Sequence, residues 1–253
     1  MDSQERQWLL AEKYNGEKSK AFFADVKRLF LGEPLAYLIG HVPFLGNTIY
    51  LDSRPLIPRP ETEYWTEEAI NTIRGGATLP LGFESKPVKV LDLCAGSGCV
   101  GVSVAKELPN TLVDFAELDR AHLPTIEKNL KENQVSKDRY HIYHSSLFST
   151  VPDTYDFILS NPPYIDPTLD RTEPSVKQYE PYHALYGGEK GLEIIIMIIT
   201  EAPKHLRRGG QLWIEHEPEQ SQAIKDLAEK HGFNCTTHKD QFGTERYSIL
   251  VLQ

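Results

Sequence analysis

The chain is poor in features that would mark several large protein classes. It has three cysteines, Cys94, Cys99 and Cys235. The number is odd and no C-x-x-C pair occurs, which argues against a disulfide scaffold or dithiol redox centre and fits a reducing compartment. No apolar run reaches membrane-spanning length; the longest, Ile194–Ile199, has six residues. A basic excess is also missing. Against 27 Lys and Arg stand 36 Asp and Glu, a net charge of −9, whereas a nonspecific nucleic-acid binder carries a basic face. The opening segment MDSQERQWLL has neither the apolar core of a secretory signal nor the arginine-rich, acid-poor character of a mitochondrial presequence. The cytoplasm is therefore the expected location, with the mitochondrial matrix as the alternative.

What is present is an alternation of strand and helix patterns. Apolar residues at helical spacing (Trp8, Leu9, Leu10, then Phe22, Phe23, Val26, Leu29 and Phe30) predict two short helices divided at Asn15-Gly16. This gives a helical arm over 1–33, a Gly- and Pro-rich hairpin connector over 34–60, and a main domain over 61–253. In the main domain VKVLDL, TLVDFAEL, YHIYH, YDFILS, QLWIEHE and RYSILVL read as strands separated by helices. One long helix is expected over 192–206, ending before Gly209-Gly210. Such alternation implies a mostly parallel sheet covered on both faces.

Two stretches carry chemistry. In VLDLCAGSGCVG the first strand runs into a turn containing Gly96 and Gly98 and then into a helix. Glycines there let the backbone approach a ligand, and Asp119, about twenty residues on, is a candidate for ribose hydroxyls; Glu117 shares its face. Asp92 is a carboxylate inside an apolar strand. Its burial is costly unless it is paired, which suits a cationic ligand such as S-adenosylmethionine (AdoMet) better than a dinucleotide pyrophosphate. Capping of loop amides is the other reading. The second stretch is YDFILSNPPYIDP. Two prolines fix the backbone after a buried strand. The Pro162 carbonyl and the Asn161 side-chain oxygen then form a pair of acceptors for a planar NH2 group, and Tyr164 stacks on it. Held acceptors orient such a nitrogen and stabilise charge developing on it. Asn161, Pro162 and Tyr164 are thus the candidate catalytic residues, and Asn161–Tyr164, Pro163 included, the candidate substrate clamp. No metal site is expected at Glu215-His216-Glu217, because neighbours on a strand point to opposite faces.

PLAYLIGHVPFLG, LIPRPETE, LDLCAGSGC, SNPPYI, YEPYHALYGGEKGLEII and KDQFGTERY occur in this order. Together they resemble the release-factor glutamine methyltransferase (HemK/PrmC) family, from about Gly32 to the C-terminus. The resemblance implies an α/β fold: a seven-stranded, doubly wound, Rossmann-like class I methyltransferase sheet with its last strand antiparallel, behind a helical arm and a β-hairpin. It implies AdoMet bound at Cys94, Ala95, Gly96, Ser97, Gly98, Asp119, Ser146 and Leu147 together with Asp92 and Asn161, and S-adenosylhomocysteine (AdoHcy) as product. The implied substrate is the glutamine of a Gly-Gly-Gln loop in a peptide-chain release factor. No direct nucleic-acid partner and no membrane are expected, and a monomer is. Cys94 stands where the family has glycine, a loss that is tolerable if Cys94 keeps an ordinary strand φ; Ser146 stands where an acid is frequent. A nucleic-acid amino-methyltransferase using the same clamp and an NAD-dependent oxidoreductase are the alternatives.

Overall fold

The computed structural model describes residues 3–75, 87–169 and 171–253. The expected loop after Arg74 therefore falls largely outside the described residues. Helices α1 (Ser3–Glu12) and α2 (Lys20–Phe30) form the arm. Ser19 caps α2 by accepting a hydrogen bond from Phe22 N at 3.2 Å, satisfying one of its free N–H groups. Leu9, Phe22 and Leu29 of the arm pack with Leu38, which lies on the short helix α3 (Leu35–Ile39), so the arm's small core is completed from the connector.

Strands β1 (His41–Phe44) and β2 (Asn47–Tyr50) pair antiparallel around Leu45-Gly46, both at positive φ, as a tight two-residue hairpin turn requires. The hairpin is tied to the main domain. Tyr50 N donates to Asn129 Oδ1 at 2.7 Å, and Asn129 Nδ2 donates to Tyr50 O and to Ser97 O. Helix α4 (Pro60–Gly75) follows, with Trp65, Ala69, Ile70 and Ile73 on its buried face.

The large sheet contains β3 (Val88–Leu93), β4 (Thr111–Glu117), β5 (Tyr140–His144), β6 (Tyr155–Ser160), β7 (Leu206–Glu215), β8 (Phe233–Lys239) and β9 (Glu245–Leu252). Its order is β5-β4-β3-β6-β7-β9-β8, parallel from β5 to β7, with β9 antiparallel to both neighbours. The seven-stranded, doubly wound expectation is therefore met. Helices α5 (Cys99–Glu107), α6 (Leu123–Glu132), α7 (Pro174–Tyr179), α8 (Glu193–Glu201) and α9 (Ser221–Lys230) make the crossovers. Separate buried clusters line the two faces, one around Trp65, Phe115 and Trp213, the other around Leu91, Ile158, Ile198 and Leu212.

Two local expectations change. Strand β8, FNCTTHK, is absent from the sequence reading because it is a half-exposed edge with mostly polar residues, and such a strand lacks a strong apolar period. The helix expected over 192–206 stops at Glu201, and β7 runs straight through Gly209-Gly210. A Cβ on Gly210 would lie 2.8 Å from Arg207 O and 3.1 Å from Asp156 O. Glycine there marks a bulge in the β6–β7 pairing, not a helix stop. Among the described residues no helix is long and apolar enough to cross a membrane.

The chain leaves β3 first toward β4 and β5 and later returns on its other side as β6 and β7. The carboxyl ends of β3, β4 and β6 thus meet at the topological switch point, where open α/β sheets bind ligands.

Candidate active site

The turn after β3 departs from expectation at Cys94, whose φ is 63°. The residue is left-handed, not strand-like, a conformation that costs a non-glycine residue about 1–2 kcal/mol. Both Cys94 N and Ala95 N donate to Ala116 O, at 3.0 and 3.1 Å, and this paired anchorage holds the bend. Burial pushes the thiols of Cys94 and Cys99 up to about 12, so neither is a thiolate near neutral pH. The last glycine of the run, Gly101, serves packing: a Cβ would sit 2.4 Å from the Phe115 ring. Ser97 is buried under the turn, and Gly98 is the left-handed residue that starts α5.

Asp92 is 2 % exposed and accepts a hydrogen bond from Gly101 N at 2.8 Å. One of its oxygens thus caps the helix start, as the alternative reading held. Burial outweighs that bond and pushes the carboxyl up to about 8. Its surroundings form a small inner recess shared with Cys94, Ala95, Gly96, Ser97 and Thr62.

Beside it lies a cavity of about 140 Å³ whose walls include Gly96, Glu117, Leu118, Ser146 and Leu147. Ser146 and Leu147, named as cofactor candidates from the sequence, thus line the same cavity as Gly96. The acid at the strand end is Glu117, the final residue of β4. Its Oε2 accepts from Gly96 N and its Oε1 from Asp119 N, both at 2.7 Å. Asp119 lies two residues beyond the strand, outside this lining; its carboxylate accepts from Ala121 N and stands 3.9 Å from His122 Nε2 and 3.8 Å from His183 Nε2. Counting residues from the glycine turn pointed to Asp119, whereas the strand ends two residues earlier and turns Glu117 inward.

On the other side of Asn161 opens a larger cavity of about 710 Å³, bordered by Pro162, Tyr164, Ile165 and Leu185 with charged residues at its rim. Leu56 and Asn161 border this cavity, the 140 Å³ cavity and the inner recess alike. Pro163 faces the smaller cavity, Pro162 and Tyr164 the larger. Residues Asn161–Tyr164 therefore stand between two spaces that share Asn161, Leu56 and Ala184 in their walls.

Asn161 Nδ2 donates to Thr62 Oγ1 at 3.1 Å, and Thr62 Oγ1 donates to Glu215 Oε2 at 2.7 Å. Glu215, 1 % exposed at the end of β7, also accepts from Trp65 Nε1 at 2.6 Å and from Tyr164 OH at 2.8 Å. Burial pushes its carboxyl up, and the three donors pull it back. Burial and the neighbouring Glu215 push the Tyr164 phenol well up, so it keeps its proton. No donor among the described residues reaches the Asn161 Oδ1 or the Pro162 carbonyl. In the sequence Glu215 stood out only as part of Glu215-His216-Glu217 and Thr62 only within LIPRPETE, neither for this role, and Trp65 was not singled out. His216 turns the other way, to Ser248 Oγ at 2.8 Å, as strand alternation predicts, and Glu215 is fully engaged by its three donors.

The loop before α4 is fastened by Glu180, which accepts from Ile57 N at 3.0 Å and from Arg59 Nη2 at 2.6 Å. From behind, the clamp rests on the Gly187–Gly191 segment: Gly187 N donates to Ile165 O at 3.1 Å, and Gln220 Nε2 donates to Tyr164 O at 2.8 Å.

Known proteins resemble this chain in sequence and in fold. Residues 76–177 match the Methyltransferase small domain family model. The chain is 38 % identical over 242 residues to a release factor glutamine methyltransferase of Rhodopirellula baltica, covering 94 % of this chain and 79 % of that protein. It is 34 % identical over 236 residues to the protein of the same name from Geobacter sulfurreducens, covering 92 % and 78 %. Among solved structures, a methyltransferase from Pyrococcus furiosus superposes with a TM-score of 0.59 at 20 % identity, over 90 % of this chain and 97 % of that one. The N-terminal domain of human METTL16 in complex with SAH does so with 0.55 at 19 % identity, over 82 % and 76 %.

Proposed function

This chain belongs to the release factor glutamine methyltransferase family, and we propose that it methylates the side-chain nitrogen (N5) of a glutamine in the Gly-Gly-Gln loop of a peptide-chain release factor, with AdoMet as donor. The observation that carries this reading is Asn161, which borders both the 140 Å³ cavity and the 710 Å³ cavity and whose Oδ1 meets no donor among the described residues.

The residues suit AdoMet. Glu117 offers a carboxylate for ribose hydroxyls, held in place by two backbone N–H groups. Leu118 and Leu147 offer apolar walls for an adenine, Gly96 a bare backbone, and Asp92 a buried acid for a cationic amino group. The turn Cys94–Gly98, Ser146 and Asn161 complete the set, with Asp119 at its outer edge. Bound there, AdoMet supplies an electrophilic methyl group and leaves as AdoHcy.

The chain's own task is to present the nucleophile. An amide nitrogen is weakly nucleophilic because its lone pair is delocalised. Asn161 Oδ1 and the Pro162 carbonyl accept its two N–H bonds, fix its direction and stabilise positive charge developing on it; one preorganised hydrogen bond of this kind contributes about 3–4 kcal/mol. Tyr164 forms the face on which the planar amide rests. No strong base is needed, because a protonated N-alkyl amide is itself a strong acid. The larger cavity, with Arg59, Arg171 and Lys190 set among Asp166, Glu173 and Glu217, accommodates the flanking peptide.

The test is incubation with AdoMet and a purified release factor, followed by peptide mass spectrometry of the Gly-Gly-Gln segment. A single methyl on that glutamine, lost in Asn161→Ala, is expected. AdoHcy binding without glutamine methylation would overturn the substrate assignment while leaving the cofactor site standing.

A further inference from the structure

We propose that Thr62, backed by Glu215, is a positioning residue that dictates which end of the Asn161 amide faces the substrate. The proposal rests on the reading that Asn161 Oδ1 accepts a hydrogen bond from the substrate amide.

The argument is a proton count. A threonine hydroxyl has one proton to donate and lone pairs to accept with, while a carboxylate only accepts. Glu215 Oε2 lies 2.7 Å from Thr62 Oγ1. On the same oxygen stands Trp65 Nε1, a group that can only donate, and on the other oxygen Tyr164 OH. All three groups therefore point their protons at the carboxylate, and the proton of Thr62 is committed. Toward Asn161, at 3.1 Å, Thr62 presents lone pairs alone. The group of Asn161 that faces it must be the NH2, which leaves Oδ1 for the cavity. The opposite rotamer would set oxygen against oxygen at Thr62. It would also turn two N–H donors toward a substrate nitrogen that brings donors of its own.

Nothing else in the site fixes this choice. An amide is nearly symmetric in shape, so packing does not distinguish its ends, and no other described group bonds the Asn161 side chain. Thr62 is 2 % exposed, so water does not substitute for it. The polarity that makes the clamp an acceptor is thus set two side chains away, on β7, and delivered through the first turn of α4.

Five proteins test this: wild type, Thr62→Val, Thr62→Ser, Asn161→Ala and the Thr62→Val/Asn161→Ala double variant, assayed for kcat, KM for the release factor, and AdoHcy Kd. Valine keeps the shape of threonine and removes both hydrogen-bond roles. In Thr62→Val, kcat is expected to fall about 10- to 100-fold, a larger change than any in AdoHcy Kd. Thr62→Ser, which restores the hydroxyl, is expected to return kcat to within about threefold. Because Thr62 acts through Asn161, Thr62→Val in the Asn161→Ala background should cause no further loss. A wild-type kcat in Thr62→Val, or losses that multiply in the double variant, overturns the proposal and leaves the role of Asn161 intact. Unchanged activity in Asn161→Ala overturns the reading on which it rests. If Thr62→Val does not fold, Thr62→Ala passes through the same comparisons, since it removes the hydroxyl without adding bulk.

Discussion

Replacing Gly191 by alanine should damage catalysis through the wall behind the clamp. Gly191 has φ +68°, and a Cβ there would lie 1.9 Å from the Tyr164 carbonyl oxygen and 2.5 Å from Gln220 Nε2. Both obstacles matter, because Gln220 Nε2 holds that same carbonyl and the oxygen is backbone, with no rotamer to escape into. Left-handed φ costs alanine about 1–2 kcal/mol. Forcing a methyl into a packed site adds about 1–3 kcal/mol, and disturbing the Gln220 bond about 1 kcal/mol. The expected loss is therefore about 3–6 kcal/mol, read as a Tm lower by about 10 °C for a chain of this size. The carbonyl must retreat by roughly 1 Å, and misplacement of that size costs about 100-fold in rate. Differential scanning fluorimetry and a methylation assay on the release factor measure the two effects. Gly243→Ala is the control: its φ is +82° but no atom lies within 4 Å of the added Cβ, so Tm should drop by only a few degrees with kcat unchanged. AdoHcy affinity should hold in both, since Glu117 and Leu147 are untouched. A Gly191→Ala protein with wild-type kcat would refute the claim that this segment fixes the clamp.

Three further outcomes are expected. Glu117→Ala should weaken AdoHcy binding more than about tenfold by isothermal titration calorimetry, because it removes a cavity-lining acid and frees Gly96 N; Asp119→Ala should change it less than about threefold. Asp92 has its carboxyl pushed up to about 8 by burial. The folded apo-protein therefore keeps a proton that the unfolded chain has lost above about pH 4, so this group makes stability fall as pH rises toward 8, by at most about 1.4 kcal/mol per pH unit. Asp92→Asn should gain Tm relative to wild type between pH 5 and 8, and AdoMet binding near pH 7 should release a proton in wild type alone, seen as a buffer-dependent binding enthalpy. At Cys94, φ 63° predicts that Cys94→Val lowers Tm by several degrees while Cys94→Gly does not, as thermal melts would record.

Six of the seven strands, the glycine turn and the rigid backbone of Asn161–Tyr164 were legible in the chain because each rests on local chemistry. Apolar strands alternate with helices, glycines stand at a strand end, and paired prolines freeze a backbone wherever they occur. Edge strand β8 escaped because half of it meets water and its composition is polar. Cys94 was misjudged because its φ is imposed by two bonds to Ala116 O, a residue on the neighbouring strand. Of the two acids noted in the sequence, Glu117 lines the smaller cavity and Asp119 does not, because the end of β4 depends on pairing with β3 and β5, not on a count along the chain. Thr62 and Glu215 lie 153 residues apart and share one hydrogen bond. No period or motif announces such a pair. By itself the sequence determined the kind of chemistry, since residue types and rigid dipeptides carry it. Only the tertiary structure decided which end of the Asn161 amide Thr62 holds, because hydrogen-bond polarity belongs to groups that folding brings within about 3 Å of one another.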